Sequence, residues 1–144
     1  MKKILFVAML FCGVTVYSQN WNVNFEEAKA IANKNKKPII LVFSGSDWCA
    51  PCIKLDKDIW QSAEFKKYSD ENYVLYKADF PKRKSNKLSD DLENQNKKLA
   101  EKYNSKGYFP LVVILDSENN VLGKTGYKKI NSKAYISLLN SFLD

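Results

Sequence analysis

Two thiols stand two residues apart in Trp48-Cys49-Ala50-Pro51-Cys52, directly after the apolar run Pro38-Ile39-Ile40-Leu41-Val42-Phe43 and a short polar loop. The segment that follows, residues 53–68, is compatible with a helix. A cysteine at a helix start meets unpaired backbone N–H groups and the positive end of the helix dipole, which favour its thiolate. The second cysteine lies one turn on, close enough to close a disulfide ring. A bond between residues this close makes a poor staple, because closing a short loop removes little entropy from the unfolded chain. The pair is therefore better placed to react than to brace.

The rest of the chain narrows what else the thiols could do. Lys2 and Lys3 precede an apolar stretch over residues 4–16, and Val16-Tyr17-Ser18 offers small residues where a signal peptidase reads. Residues 1–18 are expected to be a signal peptide cut before Gln19, and residues 19–144 a single domain. A retained membrane anchor is the competing reading, but the run falls short of the roughly twenty residues that span a bilayer. Cys12 lies inside the leader behind Phe11, not behind the small residue that lipid attachment calls for, and it would leave with Met1 and Met9. The mature chain then holds two cysteines and neither histidine nor methionine. Two thiolates alone do not complete a four-coordinate zinc site, and soft copper sites draw on the same missing residues. No metal or other cofactor is expected. Loss of Lys2 and Lys3 takes the formal charge from +7 to +5. The basic clusters Lys82-Arg83-Lys84, Lys97-Lys98 and Lys128-Lys129 lack interleaved aromatics, so they are expected to be solvated surface rather than a nucleic-acid footprint.

The elements that must position the cysteines follow from pattern. Asn24-Phe25-Glu26-Glu27 resembles a capped helix start, and Phe25, Ala28, Ile31 and Ala32 repeat at helical spacing up to Pro38. Residues 39–43 form an unbroken apolar, β-branched run, as in a central strand buried on both faces. After Cys52, the residues Ile53, Leu55, Ile59 and Trp60 are expected to line the inner face of one helix. A second strand is expected over 73–79, a polar loop over 80–90, and a helix through Leu92, Leu99 and Tyr103. Strands over 110–116 and 121–127 should form an antiparallel hairpin, with Pro110 at the first strand residue. Tyr135, Leu138, Leu139 and Phe142 mark a terminal amphipathic helix. This order implies an α/β fold: a central mixed β-sheet of four to five strands with helices on both faces.

That order, with a C-x-x-C pair after the first long strand and Gly107-Tyr108-Phe109-Pro110 opening the third, resembles the thioredoxin superfamily. The wider string Phe43-Ser44-Gly45-Ser46-Asp47-Trp48-Cys49 is most similar to exported bacterial members, akin to the C-terminal domain of the disulfide reductase DsbD and to periplasmic thiol reductases. The resemblance implies an exported thiol-disulfide oxidoreductase, periplasmic or secreted. In it Cys49 is the exposed nucleophile, and the more buried Cys52 resolves the mixed disulfide. Trp48 is implied to belong to the contact surface. Pro110 is implied to be a cis-proline facing the cysteines, and Phe109 to present its backbone to an extended substrate. The sequence departs from thioredoxin at Ala50, at Phe109 and at Phe43. Phe43 stands where thioredoxins carry a buried aspartate that helps deprotonate the second cysteine. Asp47, Asp56, Asp79 and water all remain open as substitutes.

Ala50-Pro51 places neither a charge nor a side-chain donor between the thiols, which argues for a reducing pair. Its potential is expected closer to about −270 mV than to about −120 mV on the scale of known dithiols. The implied partners are proteins with disulfides and, as electron donor, a membrane thiol-disulfide reductase. The alternative is a folding helper or adaptor that holds extended client chains with little redox turnover, using Trp48, Tyr108 and Phe109 as an apolar patch.

Overall fold

The structure is a computed structural model that describes residues 20–144; the expected signal segment and Cys12 lie outside the described residues. Along the chain, β1 (Trp21–Asn22) precedes α1 (Phe25–Asn35), β2 (Ile39–Ser44) and α2 (Ala50–Leu55). A π-helical turn (Asp56–Trp60) leads into α3 (Ala63–Asn72), β3 (Val74–Asp79) and a 3-10 turn (Lys84–Asn86). α4 (Asp90–Tyr103), β4 (Leu111–Leu115), β5 (Val121–Thr125) and α5 (Ser132–Asn140) complete the order.

The strands form one sheet in the order β1-β3-β2-β4-β5. β3 runs parallel to β2 and to β1, whereas β4 is antiparallel to β2 and to β5. Every residue of β2 is buried, as its apolar run requires of a strand covered on both faces. Its side chains alternate between two cores. Ile39, Leu41 and Phe43 join Val113, Tyr76 and the α1 and α4 residues Phe25, Ala28, Leu99 and Tyr103. Ile40 and Val42 join Val112, Ile114, Trp60 and Phe65, together with Tyr135 and Leu139 of α5. The helices thus cover both faces of a mixed sheet.

Four expectations need correction. β1 went unseen because two residues carry no periodicity; its place is set by the parallel pairing of Trp21 with Leu75 and by Asn22 Nδ2 donating to the Leu75 carbonyl at 3.0 Å. The single helix expected over 53–68 is broken instead. Gln61 N–H reaches back to the Asp56 carbonyl at 2.9 Å, and Ser62 Oγ then accepts the Phe65 N–H at 3.1 Å to start α3. Across the wide turn the adjacent Ile59 and Trp60 both face the core. Ile53, expected on the inner face, lies on the outer side of α2 and is 47% exposed, while Cys52 and Leu55 take the buried side. The strands also end earlier or start later than the apolar runs: Tyr73 caps α3, Pro110 precedes β4, and β5 stops at Thr125.

Candidate active site

Where β2 ends, the Gly45 carbonyl accepts the N–H groups of Trp48 at 3.2 Å and Cys49 at 2.9 Å, turning the chain through the loop before α2. The Trp48 indole lies directly on Gly45: a Cβ there would sit 2.3 Å from Trp48 Cε2, so only glycine fits. Trp48 Nε1 donates to the Phe80 carbonyl at 2.7 Å, which fixes the ring from its other side. Cys49 has extended backbone and caps α2, its Sγ accepting the Cys52 N–H at 3.3 Å. Pro51 sits in the first turn, where its missing N–H would have had no helical partner.

Cys49 and Cys52 are joined in a disulfide with their Cα atoms 5.2 Å apart. Cys49 is 5% exposed and Cys52 3%. The expected contrast between an exposed and a buried thiol is thus absent from this oxidised form, because the capping geometry turns the Cys49 sulfur back over the first turn of its own helix. The Cys52 N–H points at the Cys49 sulfur, where it would meet a thiolate once the disulfide is reduced. That hydrogen bond, with the helix dipole, is the stabilisation the backbone itself supplies.

The second sequence motif arrives from the far side of the sheet. Asn104, buried after α4, clamps the next turn with both ends of its amide: Oδ1 accepts the Tyr108 N–H at 2.9 Å and Nδ2 donates to the Tyr108 carbonyl at 2.8 Å. Gly107 adopts φ +69°, the left-handed conformation that favours glycine. The Phe109–Pro110 peptide is cis. Leu111 pairs with Phe43 across β4 and β2, so Pro110 stands at the same sheet end as the cysteine loop. The Phe109 ring meets Trp48 edge-on at 5.4 Å and Phe80 at 5.5 Å. Trp48 and Tyr108 remain 39% and 58% exposed beside it.

None of the three aspartates considered as helpers for Cys52 is free of partners. Asp56 pairs with Lys77 at 2.7 Å and also accepts from Gln61. Asp79 accepts the backbone N–H and the hydroxyl of Ser46. Asp47 accepts the N–H groups of Lys82 at 2.9 Å and Arg83 at 3.0 Å and the Asn86 amide at 3.0 Å. These hydrogen bonds, led by that from Lys82, hold the Asp47 carboxyl below its ordinary value of 3.8. Phe43 is fully buried in the core and offers no acid–base group. Among the described residues no group of three or more His, Cys, Asp and Glu is arranged to hold a metal ion.

Sequence reasoning missed Phe80, Asn104 and the anchoring of the 80–90 loop. The loop is exposed at Lys82 and Arg83 as expected of a polar segment, yet its main chain is tied to Asp47, and Lys82 Nζ lies 4.0 Å from the Trp48 ring centroid. Only the placement of Asp47 beside Trp48 hinted at this, and nothing in the spacing said that the two segments meet.

With this geometry in view, residues 20–117 match the model of a family described as thioredoxin-like. The chain is 34% identical over 120 residues to the disulfide bond reductase DsbH of Chlamydia pneumoniae, a match covering 83% of this chain and 70% of that protein. A solved DsbH oxidoreductase structure superposes with a TM-score of 0.81 at 32% identity, covering 88% of this chain and 85% of that one. The reduced C-terminal domain of DsbD from Neisseria meningitidis shares the fold, with a TM-score of 0.59 at 19% identity over 81% of this chain and 92% of that one.

Proposed function

The chain belongs to the thioredoxin-like family, and on that premise we propose that it reduces disulfides in proteins outside the cytoplasm through a Cys49/Cys52 dithiol–disulfide cycle. It is a thiol-disulfide oxidoreductase; the direction, the compartment and the individual residue roles are the proposal. The observation that carries it is the Cys49–Cys52 disulfide at the start of α2, with the Cys52 N–H aimed at the Cys49 sulfur.

In the reduced protein the Cys49 thiolate attacks one sulfur of a substrate disulfide. That S–S bond breaks, the other substrate sulfur leaves as a thiolate and takes a proton from solvent, and Cys49 is left in a mixed disulfide. Cys52 loses its proton to water and attacks the Cys49 sulfur, so the second substrate thiol departs and the Cys49–Cys52 bond forms. Two electrons have passed to the substrate, and a dithiol on a partner protein returns them. A membrane thiol-disulfide reductase is the donor this reading calls for. In this reading Trp48, Phe109 and Pro110 hold the substrate segment extended while the sulfurs align.

The reducing direction rests on what surrounds the pair. Ala50 and Pro51 bring no charge, and Asp47, Asp56 and Asp79 are occupied elsewhere. The thiolate is then supported mainly by backbone N–H groups, so the reduced form is less favoured than in strong oxidants. Export rests on the leader expected over residues 1–18.

An insulin-reduction assay tests the reading. Cys49→Ser should lose activity by at least about a hundredfold, since Cys52 alone cannot close the intramolecular disulfide that completes the cycle. A glutathione-equilibrated titration should place the couple nearer to about −270 mV than to about −120 mV. Equal activity of wild type and variant would falsify the redox role, and client binding without turnover would favour the adaptor. A potential at the oxidant end would reverse the direction.

A further inference from the structure

The loop between β3 and α4 carries Lys82, Arg83, Lys84 and Lys87, and it is fastened to the active site at three points. Asp47 holds its backbone, the Phe80 carbonyl takes the Trp48 indole N–H, and Lys82 Nζ lies over the Trp48 ring. Trp48 is the residue immediately before Cys49. The main chain that carries the basic residues is therefore held next to the residue that precedes Cys49.

The nearby carboxylates offset this charge only in part. Asp47 is turned into the loop's main chain, Asp79 is taken up by Ser46, and Glu93 pairs with Lys97 at 2.7 Å. Lys87 makes an exposed contact with Asp90 at 3.4 Å, which is weak in water. Among the described residues Lys82, Arg83 and Lys84 have no ion-pair partner. A cleft of about 220 Å³ runs along the loop, with an apolar floor at Phe80, Pro81 and Leu88; its five basic lining residues outnumber its two carboxylates, Asp79 and Glu93. Its apolar floor and basic rim suit a peptide segment with acidic side chains, because the backbone and apolar parts can settle on Phe80 and Pro81 while carboxylates meet the lysines.

We propose that this loop is a docking ledge for an acidic stretch of the protein partner, lying within a few residues of the disulfide that Cys49 exchanges with. The inference rests on the reading of Cys49 and Cys52 as a protein-disulfide couple and adds the class of partner it selects. The ledge raises the encounter rate and orients the chain along Trp48; exposed charges of this kind act on association and lose their effect in salt.

Two synthetic peptides with the same internal disulfide, one flanked by glutamates and one by lysines, test it. At low ionic strength the wild type should reduce the acidic peptide with a kcat/KM about tenfold higher, and the ratio should fall towards one at about 0.5 M salt. Lys84→Glu/Lys87→Glu should abolish or invert the preference. Lys84→Arg/Lys87→Arg should keep it, and neither variant should move the potential of the couple. A ratio near one at low salt, or one indifferent to charge reversal, overturns the proposal while leaving the reductase reading intact. If neither peptide is reduced, the reductase reading fails. Calorimetric titration of each peptide onto Cys49→Ser then decides the ledge alone: tighter binding of the acidic peptide supports it, and equal binding overturns it. Binding of phosphatidylglycerol vesicles that the charge reversal abolishes, without any peptide preference, would assign the ledge to a membrane surface instead and overturn the proposal.

Discussion

Asp47 stands between the redox pair and the basic loop, and its chemistry is that of an anchor. It spends its carboxylate on two backbone N–H groups and an amide of the loop, interactions that are strongest while it is ionised. Its folded-state value is lowered, so its contribution is fully present above the ordinary value of 3.8 and is lost as the pH falls through the depressed value. Hydrogen exchange at the Lys82 and Arg83 amides, corrected for intrinsic rate, should therefore speed up below pH 3.8. Asp47→Ala should show the same fast exchange at neutral pH, by about tenfold or more if the anchor contributes what a charge-assisted hydrogen bond does. Slow exchange in that variant would mean that Trp48 and Phe80 hold the loop unaided.

Among the elements, the stretch after Cys52 departs furthest from its local pattern. Adjacent Ile59 and Trp60 are both buried where the helix widens into the π turn. Ser62 then restarts the helix by donating to the Ile59 carbonyl at 2.7 Å and accepting the Phe65 N–H. Ser62→Ala should cost about 1 kcal/mol, the usual loss for an N-cap. Urea unfolding with an unchanged m-value would measure it. A cost near zero would show that packing of Trp60 and Phe65 alone sets the break.

At the scale of the molecule, the sheet is a partition between two cores, and the redox site sits at one end of that partition. Trp60 is the largest side chain fully buried on its side, with Phe65 at 4.7 Å, Tyr135 at 5.5 Å and Trp21 at 6.0 Å between ring centroids. It draws β1, α3 and α5 together, so Trp60→Ala should destabilise by about 3–5 kcal/mol through lost burial and the cavity left behind. The Cys49–Cys52 potential should change little, because Phe43, Phe80 and Phe109 belong to the opposite core. A large shift in potential, measured on the folded variant, would show that the two layers are coupled through β2.

The thiol pair, the strand before it, the hairpin after Pro110 and both helix layers were legible in the sequence, because each depends on residues close together in the chain. An apolar run, a cap or a helical repeat has its physical cause within a few positions. Other features depend on which strand ends converge, and periodicity does not carry that information. Phe109 meets Trp48 because Leu111 pairs with Phe43. Asp47 serves the 80–90 loop, and not Cys52, because the loop returns from the end of the neighbouring strand β3. The chemistry of the dithiol is thus local, written in Cys49-Ala50-Pro51-Cys52 and the helix it opens. Its surroundings, with occupied carboxylates, an aromatic wall and a basic rim, were decided by the tertiary structure, since only folding brings those side chains within reach of one another.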